Sequence, residues 1–319
     1  MDSSVRDVVL VGFAFAFGAA IGSFLNVVIY RLPRRDEGLT LTTPRYSRCP
    51  ACGVEIRGYD NIPLVSYFLL GARCRHCKKS ISIRYFVVEL LTACCFAYLA
   101  VRHFTGRGAA GPGPGPGPGG LPAGATVALF AVEAVLMAAL IAVTFIDIDF
   151  QIIPDRIDIP GMVLAPVVSV LVPRLHTGAD LEAIRAIAAL FGRDLPPALG
   201  VDSIRLQALI SSVLGIGVGG GIIWLIGFLG EKAFRKEAMG FGDVKLLGMI
   251  GGYLGFTGAL LTLLLASVLG AVIGLGVKLA TRESYIPFGP FLAVGAALVL
   301  LFRPAVVRLL FEVYPNVFR

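Results

Sequence analysis

Charge is what this chain has least of. Asp, Glu, Lys and Arg make up 15% of its 319 residues, where soluble domains carry about 25%. With 56% apolar residues and a mean hydropathy of +0.83, a soluble globular protein is excluded. Several apolar runs reach the roughly 20 residues that a helix needs to cross a hydrocarbon core of about 30 Å. Lipid offers the backbone no hydrogen-bond partners, so every crossing is expected to be helical. A cleavable leader is not expected either. The apolar run 8–30 is too long for a leader, and its strongest positive flank follows it. It reads as a retained first span. Gly18 and Gly22 sit four apart on it, a spacing that permits close helix packing, although glycine is also simply common in membrane helices.

The net charge is +7, and its placement says more than its size. Eleven Lys and Arg lie between Arg31 and Arg84, which puts that segment in the cytoplasm by the positive-inside rule. Topology explains this charge, so no nucleic-acid partner is expected. Further spans are expected over 85–101, 125–146, 159–172, 206–229, 246–256, 258–279 and 291–302. Pro154 and Pro160 are expected to break the chain between the third and fourth. The Gly-Pro alternation of 111–120 can form neither helix nor sheet, so 106–124 reads as an external linker. The outer stretch 173–205 contains 181–191, which fits an amphipathic surface helix or a solvated loop. The expected fold is all-α and polytopic, with about eight transmembrane helices and a small cytoplasmic zinc-ribbon-like domain. The expected division is 1–31 as the first transmembrane helix, 32–84 as the cysteine-bearing domain and 85–319 as the remaining membrane domain.

Cys49-Pro50-Ala51-Cys52 and Cys74-Arg75-His76-Cys77 are two CxxC knuckles. Four thiolates at this spacing suit tetrahedral zinc, read as structural because no ligand position is left open to water. A reducing cytoplasm argues against disulfides. Arg73, Arg75, Lys78 and Lys79 would offset the negative charge of such a centre. A redox-active dithiol and an iron–sulfur site are the alternatives. Cys94 and Cys95 lie in an apolar run and read as small buried hydrophobes.

Two acids sit at the edges of apolar runs, where carboxylates are costly and usually mark function. Asp147 lies in Asp147-Ile148-Asp149-Phe150-Gln151-Ile152-Ile153-Pro154-Asp155, and Asp243 in Gly240-Phe241-Gly242-Asp243-Val244-Lys245. The charge-derived threading puts both on the cytoplasmic side. Two carboxylates about 3 Å apart share one proton, and their apparent pKa values split, by about three units in pepsin. The ionised member takes a proton from water, and the protonated member donates to the peptide carbonyl. Gly240 and Gly242 free the backbone beside Asp243, a helix N-terminus favours its ionised form, and Lys245 is placed to tune or anchor it. Plainer readings stand beside this one. Asp243 also fits a helix cap, and Asp147 a solvated boundary acid. Asp149 and Asp155 rival Asp147 for the first place, and Asp155 and Asp158 fit simple loop acids.

In these segments the chain resembles the type IV prepilin leader peptidase and N-methyltransferase family. The resemblance rests on Gly22 to Pro33, on Ser47 to Cys52, on Asn61-Ile62-Pro63 and on Glu89 to Ala93. It continues through Ile146-Asp147 with Ile153-Pro154-Asp155, through Gly240 to Lys245, and through Pro287-Phe288-Gly289-Pro290. It implies an inner-membrane aspartyl protease of the GxGD kind, with Asp147 and Asp243 as the catalytic acids and Gly240, Gly242, Lys245 and Pro154 in support. It also implies cleavage of basic leaders from type IV prepilins and type II secretion pseudopilins at the cytoplasmic face. Methylation of the new N-terminus with S-adenosylmethionine rests on the resemblance alone, since no glycine-rich loop of the soluble methyltransferase type is seen. Asp149, Asp155 and Asp158 would attract a basic leader. Two other classes compete: a metal-dependent glycosyl- or phosphotransferase using the DxD at 147–149, and a non-catalytic assembly factor docking through its cysteine domain.

Overall fold

The computed structural model of the protein describes residues 3–105, 123–176, 180, 203–235, 239–281 and 287–308. Most of the Gly-Pro linker, and the whole of the segment 181–191, lie outside them. The described residues form α1 (Ser3–Arg31), α2 (Val65–Leu69), α3 (Ile83–Phe104), α4 (Ala123–Phe150), α5 (Asp155–Leu171), α6 (Ser203–Phe234), α7 (Phe241–Thr281) and α8 (Gly289–Arg308), with short 3-10 turns between some of them. Five of these helices are long and apolar enough to cross a membrane: α1, α3, α4, α6 and α7. α5 has 17 residues, and the apolar part of α8 covers Gly289–Arg303. Large apolar side chains such as Val8, Phe13, Trp224 and Leu279 are exposed along these helices, which suits contact with lipid.

The chain divides into two compact units, Met1–Ile146 and Asp147–Arg319. In the first, α1 packs along α3. Gly18 and Gly22 make that approach possible. A Cβ at Gly22 would stand 2.6 Å from the Glu89 Cα, and one at Gly18 would stand 2.9 Å from the Ala93 Cα. Polar groups then fasten the intervening segment. Arg31, at the end of α1, donates to the carbonyls of Pro44 (2.7 Å), Thr40 (3.2 Å) and Leu41 (3.3 Å). Asn26 Nδ2 donates to the Tyr85 carbonyl at 3.0 Å, and the Leu64 N–H donates to Glu89 at 2.7 Å. Higher up, His103 on α3 meets Glu133 on α4 at 2.7 Å, both buried. Cys94 departs from expectation: it is exposed and Cys95 half-buried, while Ala93 beside them packs against Gly18 of α1.

In the second unit α7 packs against α6, α8 and α5. Gly215 of α6 and Gly251 of α7 bring the two backbones so close that neither position has room for a Cβ. The apolar runs 246–256 and 258–279 belong to one long α7 interrupted at Gly255, whose φ of 75° and ψ of 174° are open essentially to glycine alone. A straight 41-residue helix would be about 60 Å long, twice a hydrocarbon core. The break lies against Asp180, which accepts from the Thr257 N–H at 3.2 Å and pairs with Arg303 of α8 at 3.5 Å. His176 is within hydrogen-bond distance of Ser169 Oγ at 2.7 Å, and burial, with Arg303 nearby, pushes its imidazole down to about 4. Pro160 does not break the chain. α5 starts right after Pro154 and carries Pro160 and Pro166 inside it, so Asp155 and Asp158 occupy its first turn rather than a loop.

Candidate active site

The site of the second unit is built where α4 ends. Asp147 lies in its last turn, 4% exposed. The Gln151 N–H donates to the Asp147 carbonyl at 2.9 Å, Gln151 takes a φ of +54°, and extended Pro154 then starts α5. This short connection swings Ile153 toward two glycines. A Cβ at Gly242 would stand 3.0 Å from the Ile153 Cβ, and one at Gly289 would stand 3.0 Å from its Cδ1 and run into the Asp147 carboxylate. The Gly289 N–H donates to that carboxylate. Gly289 was only part of a motif in the sequence. Its role as a donor and a close neighbour of Asp147 emerges from the start of α8, and a small residue just before an apolar run was the one available signal.

Asp243 enters from the first turn of α7 and is 8% exposed. Its carboxylate accepts the Gly240 N–H, and its own N–H donates to the Gly240 carbonyl at 3.1 Å. The acid therefore stands at the third helical position and returns to the cap residue, as the acid of a capping box does. Capping and chemistry are compatible here, since the fixed carboxylate lies within electrostatic reach of Asp147. Asp158 acts on the same pair from α5 and is completely buried.

Lys245 does not anchor Asp243. Its ammonium is paired with Asp155 and lies 5.2 Å from the Phe241 ring centroid. Residues two apart on a helix point about 200° away from each other, so Lys245 and Asp243 face different neighbours. The same geometry separates Asp149 from Asp147: Asp149 is exposed while Asp147 is buried. Among the described residues, the only group of three or more His, Cys, Asp and Glu with ligand atoms close enough for one ion is the four cysteines. The two acids of the DxD thus differ in setting, Asp147 buried and Asp149 exposed. Burial also takes Asp158 out of the acids offered to a basic leader, leaving exposed Asp149 and the Lys245-paired Asp155.

In the first unit the ligand atoms of Cys49, Cys52, Cys74 and Cys77 all lie within 4.8 Å of one another. Each CxxC folds the same way. The Cys49 N–H donates to the Val54 carbonyl and the Cys74 N–H to that of Lys79, both at 2.9 Å. Gly53 and Lys78 take the matching positive φ values of 70° and 60°. One antiparallel bridge closes each knuckle, Arg48 with Glu55 and Arg73 with Ser80, and no longer strand forms among the described residues. Backbone N–H groups of Cys77 and His76 hold the Cys74 thiol down at about 7, while, against a lowering bond from the Val54 backbone, desolvation and its cysteine neighbours push Cys52 up to about 11. Arg75 is engaged elsewhere, in a forked pair with Asp60 at 2.6–3.1 Å, and this pairing lowers the Asp60 carboxyl.

Two family models match the chain: the Bacterial Peptidase A24 N-terminal domain over residues 16–103 and the Type IV leader peptidase family over residues 134–275. Curated relatives include proteins named prepilin leader peptidase/N-methyltransferase. The one from Aeromonas salmonicida is 31% identical over 320 residues, covering 92% of this chain and 91% of its own. The one from Pseudomonas aeruginosa is 32% identical, covering 91% and 90%. The one from Myxococcus xanthus is 35% identical over 272 residues, covering 85% of this chain and 64% of its own. No solved structure matches the chain.

Proposed function

Because the chain belongs to the type IV leader peptidase family, that of the prepilin leader peptidase/N-methyltransferases, we propose that it removes basic leaders from type IV prepilins and type II secretion pseudopilins by an aspartate pair. Asp147 and Asp243 are the catalytic acids. They hold one proton between them, and the titration belongs to the pair. The ionised member draws a proton from water, which attacks the peptide carbonyl. The other donates to the carbonyl oxygen as the tetrahedral intermediate forms. Gly289 orients Asp147 through its N–H, Gly240 and Gly242 set the approach to Asp243, and Pro154 sets the turn that carries Ile153. The observation that carries this reading is that two buried acids, 96 positions apart in sequence, sit in one site with a backbone N–H on each.

The protein is a multi-pass inner-membrane enzyme. A cytoplasmic orientation of the acid pair, an eight-span count with α7 crossing twice, and the division into 1–31, 32–84 and 85–319 complete the proposal. They are supported by the basic segment 31–84 and the break at Gly255. Structural zinc fits the four cysteines. Tetrahedral Zn–S bonds of about 2.3 Å put sulfurs ~3.8 Å apart, and Cys49 and Cys77 sulfurs are 3.9 Å apart. A zinc-ribbon-like domain is the matching fold. S-adenosylmethionine would supply the methyl group for the new N-terminal amine; none of the described residues is assigned to hold it.

The test is cleavage of a prepilin-like peptide by membrane-embedded protein. Asp147→Asn and Asp243→Asn should each reduce cleavage by at least about 1,000-fold while the zinc content stays unchanged. Wild-type cleavage by either variant would sink the pair.

A further inference from the structure

Asp158 is the acid that this mechanism leaves unused. It is 0% exposed, and neither of its carboxylate oxygens has a hydrogen-bond partner among the described residues. α5 packs against both α6 and α7, so the position has the surroundings of a core residue. A buried carboxyl with no donor is costly, and an apolar side chain would satisfy the packing. Among the described residues, the charged and titratable groups facing it are Asp155 from its own helix, Lys245 and Asp243 from α7, and Asp147 from α4. Lys245 is committed to Asp155, which leaves the catalytic pair as the other charge Asp158 acts upon.

We propose that Asp158 is a positioning residue for the acid pair, its negative charge holding the shared proton in place and extending cleavage toward alkaline pH. The inference rests on the aspartate-pair reading above. The pair works with one proton. Losing that proton places a second negative charge on the pair, and a third charge nearby opposes this. At low pH Asp158 is itself neutral, so the gain of a second proton by the pair proceeds as it would without it. The signature is therefore one-sided.

The experiment uses the full chain in lipid nanodiscs and a peptide with a prepilin-like basic leader. kcat/KM is measured from about pH 5 to about pH 9 for wild type, Asp158→Asn and Asp158→Leu. The alkaline limb of both variants should move down by about one pH unit, with the acid limb in place. Asp158 has no partner to lose, so the leucine variant should melt at or above the wild-type temperature and carries the test if the asparagine variant folds poorly. Profiles that superimpose on wild type after scaling would overturn the proposal. So would a uniform loss of rate at every pH with a lower melting temperature, the mark of a packing role. Asp147→Asn and Asp243→Asn are run alongside. If they still cleave, the pair itself fails and Asp158 has nothing to act upon; if they are dead while the limb stays put, only the Asp158 proposal fails.

Discussion

At the scale of single residues, the site is defined by where small side chains permit large ones to sit. Gly289 is the clearest case, because a Cβ there would run into the Asp147 carboxylate that its N–H binds. Gly289→Ala keeps the N–H and adds only a methyl. It should lower cleavage by about 100-fold through displacement of Asp147, with little change in melting temperature. Wild-type kinetics for this variant would show that the close approach is no part of the active geometry. The acids themselves were legible in the sequence, since carboxylates at the ends of apolar runs attract notice without any structure. Their individual partners were not. Lys245 was assigned to Asp243 by proximity along the chain, yet helical geometry turns it toward Asp155. Asp158 reads as a loop acid only while α5 is thought to begin after it.

At the scale of elements, glycines set how closely helices approach. Gly18 and Gly22 let α1 lie on the backbone of α3, whereas a Cβ at Gly12 would meet nothing within 4 Å. Gly22→Leu should therefore destabilise the first unit by about 1–3 kcal/mol or more, read as a lower melting temperature in detergent. Gly12→Leu should leave it unchanged, and equal melting of the two variants would contradict the packing. Helix boundaries were harder to read than helices. Pro160 marks a break by propensity, but α5 accommodates it in its second turn once Pro154 has set the start. Two expected spans are joined by a single glycine at Gly255, because a glycine-only backbone conformation redirects a helix without the polar loop that a hydropathy reading looks for.

At the scale of the whole molecule, the chain is a membrane peptidase of a known family with a cysteine cluster in its first unit. That cluster has little apolar core of its own, with Cys49 its only buried cysteine. Its stability should come from the metal, which supplies roughly 10–16 kcal/mol in small zinc domains. The double change Cys49→Ser and Cys74→Ser should take bound zinc to near zero and open residues 40–80 to protease, measured by metal analysis and limited proteolysis. Full protection without metal would mean that the domain is held by other contacts. The sequence by itself determined the solvent of this protein, its helical class, the cysteine quartet and the two acids, because each of these follows from composition or short-range spacing. Only the tertiary structure decided that the two acids come within electrostatic reach of each other, that Gly289 supplies a donor and that Asp158 is buried within reach of both. Those facts depend on contacts between segments far apart in sequence, and neither periodicity nor spacing carries information about them.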